Sequence, residues 1–191
     1  MKSSVKRCLT WIRVSEVRTK TVAVLLAVAA AVVLPQLVHI AGVALGAGTG
    51  IGEMLLPMHL PVLFVGCLMG PAAGVAAGCL SPLVSYVLTG MPMQAMLPFI
   101  VAELMVYGLV SGWMSKKLCK PILKVLIAQT VGRMVRSAMV LASVYLIGNS
   151  ALTLRASWSY ITAGVWGIAI QLLILPVLLS YVEKKRRERG I

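Results

Sequence analysis

A bundle of membrane-spanning α-helices is the fold class this sequence predicts, and three observations predict it. Of 191 residues, 60% are hydrophobic and 12% charged, about half the charged share of an ordinary soluble domain. The mean hydropathy of +0.96 describes more apolar surface than a water-soluble fold of this size can hide. The charges, finally, gather at the flanks of apolar runs. Six basic residues lie in the first 20 (Lys2, Lys6, Arg7, Arg13, Arg18, Lys20), four at Lys116, Lys117, Lys120 and Lys124, and five between Lys184 and Arg189. At about 20 residues per transmembrane helix, the chain accommodates five or six spans and no soluble catalytic domain.

Residues 1–20 read as a basic cytoplasmic segment forming a mildly amphipathic helix on the membrane surface. A signal peptide competes for this stretch, but the basic region is long for one and further spans follow. The first span covers about 21–42, with Pro35 kinking it or ending its regular part, because proline lacks the donor its turn needs. Ala23, Ala27 and Ala31 repeat every four residues. Such a smooth stripe suits either docking against another helix or packing within the same bundle. From Gly42 to Gly52 the chain is too glycine-rich for a helix and reads as a loop. Its alternate glycines are not a dinucleotide fingerprint, since no strand precedes them.

Two shorter helices, about 57–69 and 72–89, meet at a tight turn at Gly70-Pro71. Gly66, Gly70, Gly74 and Gly78 recur every four residues, a spacing that makes a groove for a neighbouring helix. The segment Thr89-Gly90-Met91-Pro92 is a second turn. Helices over about 95–114, 122–148 and 159–182 complete a compact bundle of six transmembrane helices. The whole divides into the basic segment 1–20, a six-helix transmembrane domain over 21–182, and a basic cytoplasmic tail over 183–191. With both termini cytoplasmic, 15 of the 18 Lys and Arg residues fall on the inner side, as the positive-inside rule requires.

Several function classes are excluded. A net charge of +13 suggests nucleic acid in a soluble protein, but here the charges are membrane flanks. No glycine-rich phosphate loop ends in Gly-Lys-Ser/Thr, so the chain cannot use ATP by itself. There is no His-Glu-x-x-His pair, no Gly-x-Ser-x-Gly elbow, and no Asp to form an aspartyl dyad, so it does not read as an enzyme. The four cysteines form no Cys-x-x-Cys pair, and neither a metal site nor a cofactor is expected.

Polar groups within hydrocarbon are costly unless paired, so each needs an explanation. Glu103, Gln129, Arg133, Arg136 and Gln171 fall inside spans, with Glu53 and His59 near the outer mouth. Glu103 and Arg136 lie at similar depth, roughly 15 Å from the outer ends of their helices at 1.5 Å per residue, so an ion pair between them is possible. They either contact a ligand or lock two helices together. His59 is read as a packing or a ligand-binding residue. Trp166 packs against lipid and core or stacks on a flat ring. The eleven methionines serve as adaptable packing and as pocket lining.

In order and spacing, several stretches resemble the substrate-binding S component of energy-coupling factor (ECF) vitamin transporters. They are Leu55-Leu56-Pro57-Met58-His59-Leu60-Pro61-Val62-Leu63, then Pro82-Leu83 through Thr89-Gly90-Met91-Pro92. Ala102-Glu103-Leu104, Tyr107-Gly108-Leu109-Val110-Ser111-Gly112 and Gly132-Arg133 continue the likeness. The resemblance implies a six-helix bundle in the bacterial cytoplasmic membrane that binds a small water-soluble vitamin or precursor in its extracellular half. A transmembrane T component and two cytoplasmic ATPases would be its partners, with Ala23, Ala27 and Ala31 as the docking surface. By region it points to Glu53, His59, Met91, Gln94, Glu103, Arg136 and Trp166 as substrate-binding residues. The arginines and a histidine suit a carboxylate such as pantothenate. Trp158 and Trp166 suit a flat ring, such as pyridoxine, a thiamin precursor, folate or a queuosine precursor. An independent secondary transporter or channel is the alternative, although neither inverted repeats nor a line of ionisable groups supports it.

Overall fold

The computed structural model describes residues 2–46, 55–115, 120–147 and 164–188. Within them the chain is all-helical: α1 (Lys2–Ala44), α2 (His59–Met69), α3 (Pro71–Thr89), α4 (Leu97–Met114), α5 (Pro121–Ile147) and α6 (Val165–Glu188). All of these but α2 contain a stretch long and apolar enough to cross a membrane. The 11 residues of α2 extend only about 17 Å, roughly half of a hydrocarbon core.

The beginning of the chain differs from the expected arrangement. Residues 2–20 are not a separate surface helix, because α1 runs unbroken from Lys2 to Ala44 with Pro35 inside it. No glycine or proline stands between the basic segment and the span, and extending an existing helix is easier than nucleating a second one. The loop also begins later than Gly42, at Leu45–Gly46, where Gly46 takes a φ of 70°. Both later turns fall where the sequence places them. Gly70 (φ 93°) separates α2 from α3, and Gly90 (φ 72°) ends α3.

The glycine repeat does open a groove, and its occupant is α4. Gly74 of α3 meets Gly108 of α4 so closely that a Cβ on either would overlap the other's backbone. Gly78 lies against the Leu104 backbone, Gly66 of α2 against Gly108 and Ser111, and Gly112 against the Gly70-Pro71 turn. Without a strong hydrophobic drive between helices in lipid, such close backbone contact is a main source of their association. Two helices therefore clasp α4, and Leu63, Leu104 and Tyr107 are almost completely buried in the resulting core.

The alanine stripe of α1 joins the same core. Ala31 is 0% and Ala27 8% exposed; Ala27, with the half-buried Ala23 against it, lies in one cluster with Ala73 and Ala77 of α3, on which α1 packs. In this conformation the stripe is an internal contact. Two of its three methyl groups are closed to a second protein.

The same packing sets the depth of residues 55–58. Gly112 borders the turn that ends α2, while His59 at the start of α2 borders Glu103. So α2 runs beside the second half of α4, and the irregular segment before it enters the bundle at the level of Glu103. Non-helical backbone at membrane depth is tolerated only where protein buries it or where it lines a cavity.

Candidate functional site

Glu103 is the centre of a buried polar cluster. Its side chain is fully buried. Arg136 Nη1 of α5 donates to Oε2 at 2.9 Å, and the Tyr107 hydroxyl, one turn along α4, donates to Oε1 at 3.0 Å. Arg133 Nε stands 3.3 Å from Oε1 and His59 Nε2 3.6 Å from Oε2. The His59 and Tyr107 rings pack 5.3 Å apart with a 59° tilt. Gly132 allows this gathering, because a Cβ there would strike the Tyr107 ring. One carboxylate thus ties α2, α4 and α5 together, and the ion pair that the depths of Glu103 and Arg136 make possible is present.

A second polar link holds the irregular segment. Gln129 Nε2 of α5 donates to Gln171 Oε1 of α6 at 2.8 Å, and Gln171 Nε2 donates to the Leu56 carbonyl at 3.0 Å. That carbonyl also accepts from the His59 N–H at 3.1 Å. Leu56 has a φ of 48°, a left-handed conformation that costs a non-glycine residue about 1–2 kcal/mol. Two hydrogen bonds to its carbonyl offset that strain and fix the direction from which α2, and with it His59, begins.

Above the polar cluster lies a cavity of about 160 Å³. Pro35, Gln36 and His39 of α1 form one wall, and Leu56 to His59 form another. Ser85 of α3, the segment Met91–Met93, Met96, Ile100 of α4 and Arg136 of α5 complete it. Methionine thioethers adapt to irregular ligand shapes, and a few polar groups among apolar ones are the usual composition of a small-molecule site. Among the described residues no group of His, Cys, Asp and Glu could hold a metal ion.

Of the residues to which the resemblance points, His59, Met91 and Arg136 line this cavity. Glu103 lies behind it, bonded to two of the residues that anchor the site. Gln94 is exposed and stands outside the lining, where Met93 and Met96 take its place. Trp166 is 64% exposed and does not reach the cavity. Five residues separate it from Gln171, a rotation of about 140° at 3.6 residues per turn, so an inward Gln171 turns Trp166 outward. Glu53 and Trp158 lie outside the described residues.

Sequence reasoning missed Gln36 and His39. They are the only polar residues between Val22 and Val43, and a three-residue separation puts them on one helix face. The signal that singled out Glu103, a polar group within an apolar span, applied to them equally.

No curated protein and no solved structure matches the chain. A family model does match, that of the ECF transporter substrate-specific component, over residues 19–179. That interval takes in all or most of the five candidate membrane spans, the polar cluster and every residue lining the cavity. The chain is therefore a multi-pass membrane subunit of a transporter rather than an enzyme, and it belongs to the family of ECF transporter substrate-specific components.

Proposed function

We propose that the chain binds one small water-soluble vitamin, or a precursor of one, in the cavity between α1, the 55–59 segment and α5. It then delivers its cargo through a transmembrane T component driven by two cytoplasmic ATPases. The observation that carries this reading is the cavity itself, where Arg136 and His59 reach a half-open, methionine-lined space beside a rigid carboxylate anchor. A guanidinium with an imidazole suits a carboxylate, since charge-assisted hydrogen bonds are the stronger ones. Among vitamins this favours pantothenate. The stacking alternative has lost its support on α6, because Trp166 faces away from the cavity.

The topology proposed for this role puts both termini in the cytoplasm, with the cavity in the outer half. The ends of α1, α3 and α5 and the starts of α2 and α4 then share the outer side. Docking of a T component on the stripe Ala23, Ala27 and Ala31 requires α1 to move off α3, which couples docking to a rearrangement of the cavity wall that α1 carries. Uptake of radiolabelled pantothenate, pyridoxine, thiamin and folate by cells tests the reading. Accumulation of one vitamin only when the T component and both ATPases are present supports it. Accumulation by this subunit alone, driven by an ion gradient, supports a secondary transporter instead.

A further inference from the structure

The cavity wall contributed by α1 contains polar atoms that find no partner among the described residues. Gln36 Nε2 and His39 Nδ1 are both buried and make no hydrogen bond there, and the same is true of Nδ1 of His59 across the cavity. His59 is only 4% exposed. All three side chains line the same space. A buried donor or acceptor left unsatisfied is destabilising, and native structures rarely keep several at one place without a role. Nothing in the packing of α1 requires a glutamine and a histidine there. Ala27, which lies in one cluster with Ala73 and Ala77 of α3, and the fully buried Ala31 are purely apolar.

We infer that Gln36 and His39 are specificity-determining residues that bind the uncharged polar end of the solute, an amide or hydroxyl group, while Arg136 and His59 hold its anionic end. The inference rests on the ligand-binding reading above and deepens it. Side chains three apart on a helix stand about 5–6 Å apart at their Cβ atoms. The solute therefore carries two hydrogen-bonding atoms spaced to meet both, and a simple fatty acid of the same length lacks them. An oxygen acceptor satisfies the Gln36 amide. A hydroxyl can satisfy His39 Nδ1 in either tautomer, because it both donates and accepts. Because Gln36 and His39 follow Ala27 and Ala31 on one continuous helix, they would report occupancy of the cavity to α1.

The test compares purified wild type, Gln36→Leu, His39→Leu and His39→Asn in two measurements. One is the thermal midpoint without added solute. The other is binding of tritiated pantothenate, pyridoxine, thiamin and folate. Residues kept for ligand contact are a burden on the empty protein, so both leucine variants should match or exceed the wild-type midpoint. Their affinity for whichever vitamin the wild type binds should fall about five- to tenfold each, the net worth of one hydrogen bond. His39→Asn, which keeps a polar group near the position of Nδ1, should recover part of that loss. Leucine variants that melt lower and bind equally well would overturn the inference and make the pair structural. A wild type that binds none of the four vitamins would overturn the ligand-binding reading and this inference with it.

Discussion

Replacing Glu103 with glutamine is the sharpest perturbation of the buried cluster. The wild-type carboxylate accepts from Arg136 at 2.9 Å and from Tyr107 at 3.0 Å, and it faces Arg133 at 3.3 Å and His59 at 3.6 Å. Glutamine has nearly the same shape, and its carbonyl oxygen can still accept from Tyr107. Its amide nitrogen then faces Arg136 Nη1, donor against donor. Two guanidinium groups also lose the carboxylate that lies between them. Removing one partner of a buried ion pair costs about 3–5 kcal/mol, a large part of the 5–15 kcal/mol typical of a folded domain. Reversible unfolding in mixed detergent–SDS micelles, followed by circular dichroism, measures this directly. Glu103→Gln combined with Arg136→Gln should lose less than the sum of the single variants, by roughly 0.5–3 kcal/mol for groups in contact. A loss below about 1 kcal/mol for Glu103→Gln, with additive effects in the pair, would refute the view of Glu103 as the anchor joining α2, α4 and α5.

Other perturbations separate the remaining parts of the account. Arg136→Gln should weaken vitamin binding by about 1–3 kcal/mol, as expected for a lost charged hydrogen bond; an unchanged dissociation constant would remove Arg136 from the site. Gly108→Ala inserts a methyl group into the Gly74 backbone and should destabilise by at least about 1–3 kcal/mol, seen as a lower yield of monodisperse protein; a wild-type elution profile and melting point would contradict the close packing of α3 and α4. Ala27→Trp places an indole where the alanine is 8% exposed, so it should impair folding as well as uptake. If that variant folds and binds its vitamin normally yet fails in uptake, the stripe is open to a partner after all.

Much of the fold was legible because it depends on local signals. Apolar runs long enough to cross a membrane, Gly70-Pro71 and Thr89-Gly90 as turns, and a four-residue glycine spacing each act over a few residues. The join between the basic segment and α1 was not legible, because both halves have helical periodicity and only the missing break between them decides the matter. The alanine stripe was equally opaque. Its spacing says that something packs closely, and the tertiary arrangement alone shows that α3 does so here. At the site, Glu103, Arg136 and His59 stood out as polar groups in apolar runs, and they do come together. Trp166 and Gln94 were assigned by region, and helix phase in one case and loop direction in the other turn them away from the cavity. Gln36 and His39 were readable by the rule applied to Glu103, because they too are polar groups inside a span expected over about 21–42.

Mass spectrometry of small molecules released from the protein, purified in mild detergent, tests the central claim most directly. Wild type should carry one carboxylate-bearing vitamin per chain, and Arg136→Gln prepared in parallel should carry much less. A wild-type protein that is empty, and that binds no vitamin when pantothenate, pyridoxine, thiamin and folate are supplied, would contradict the assignment of the cavity between α1 and α5 as the site of vitamin capture.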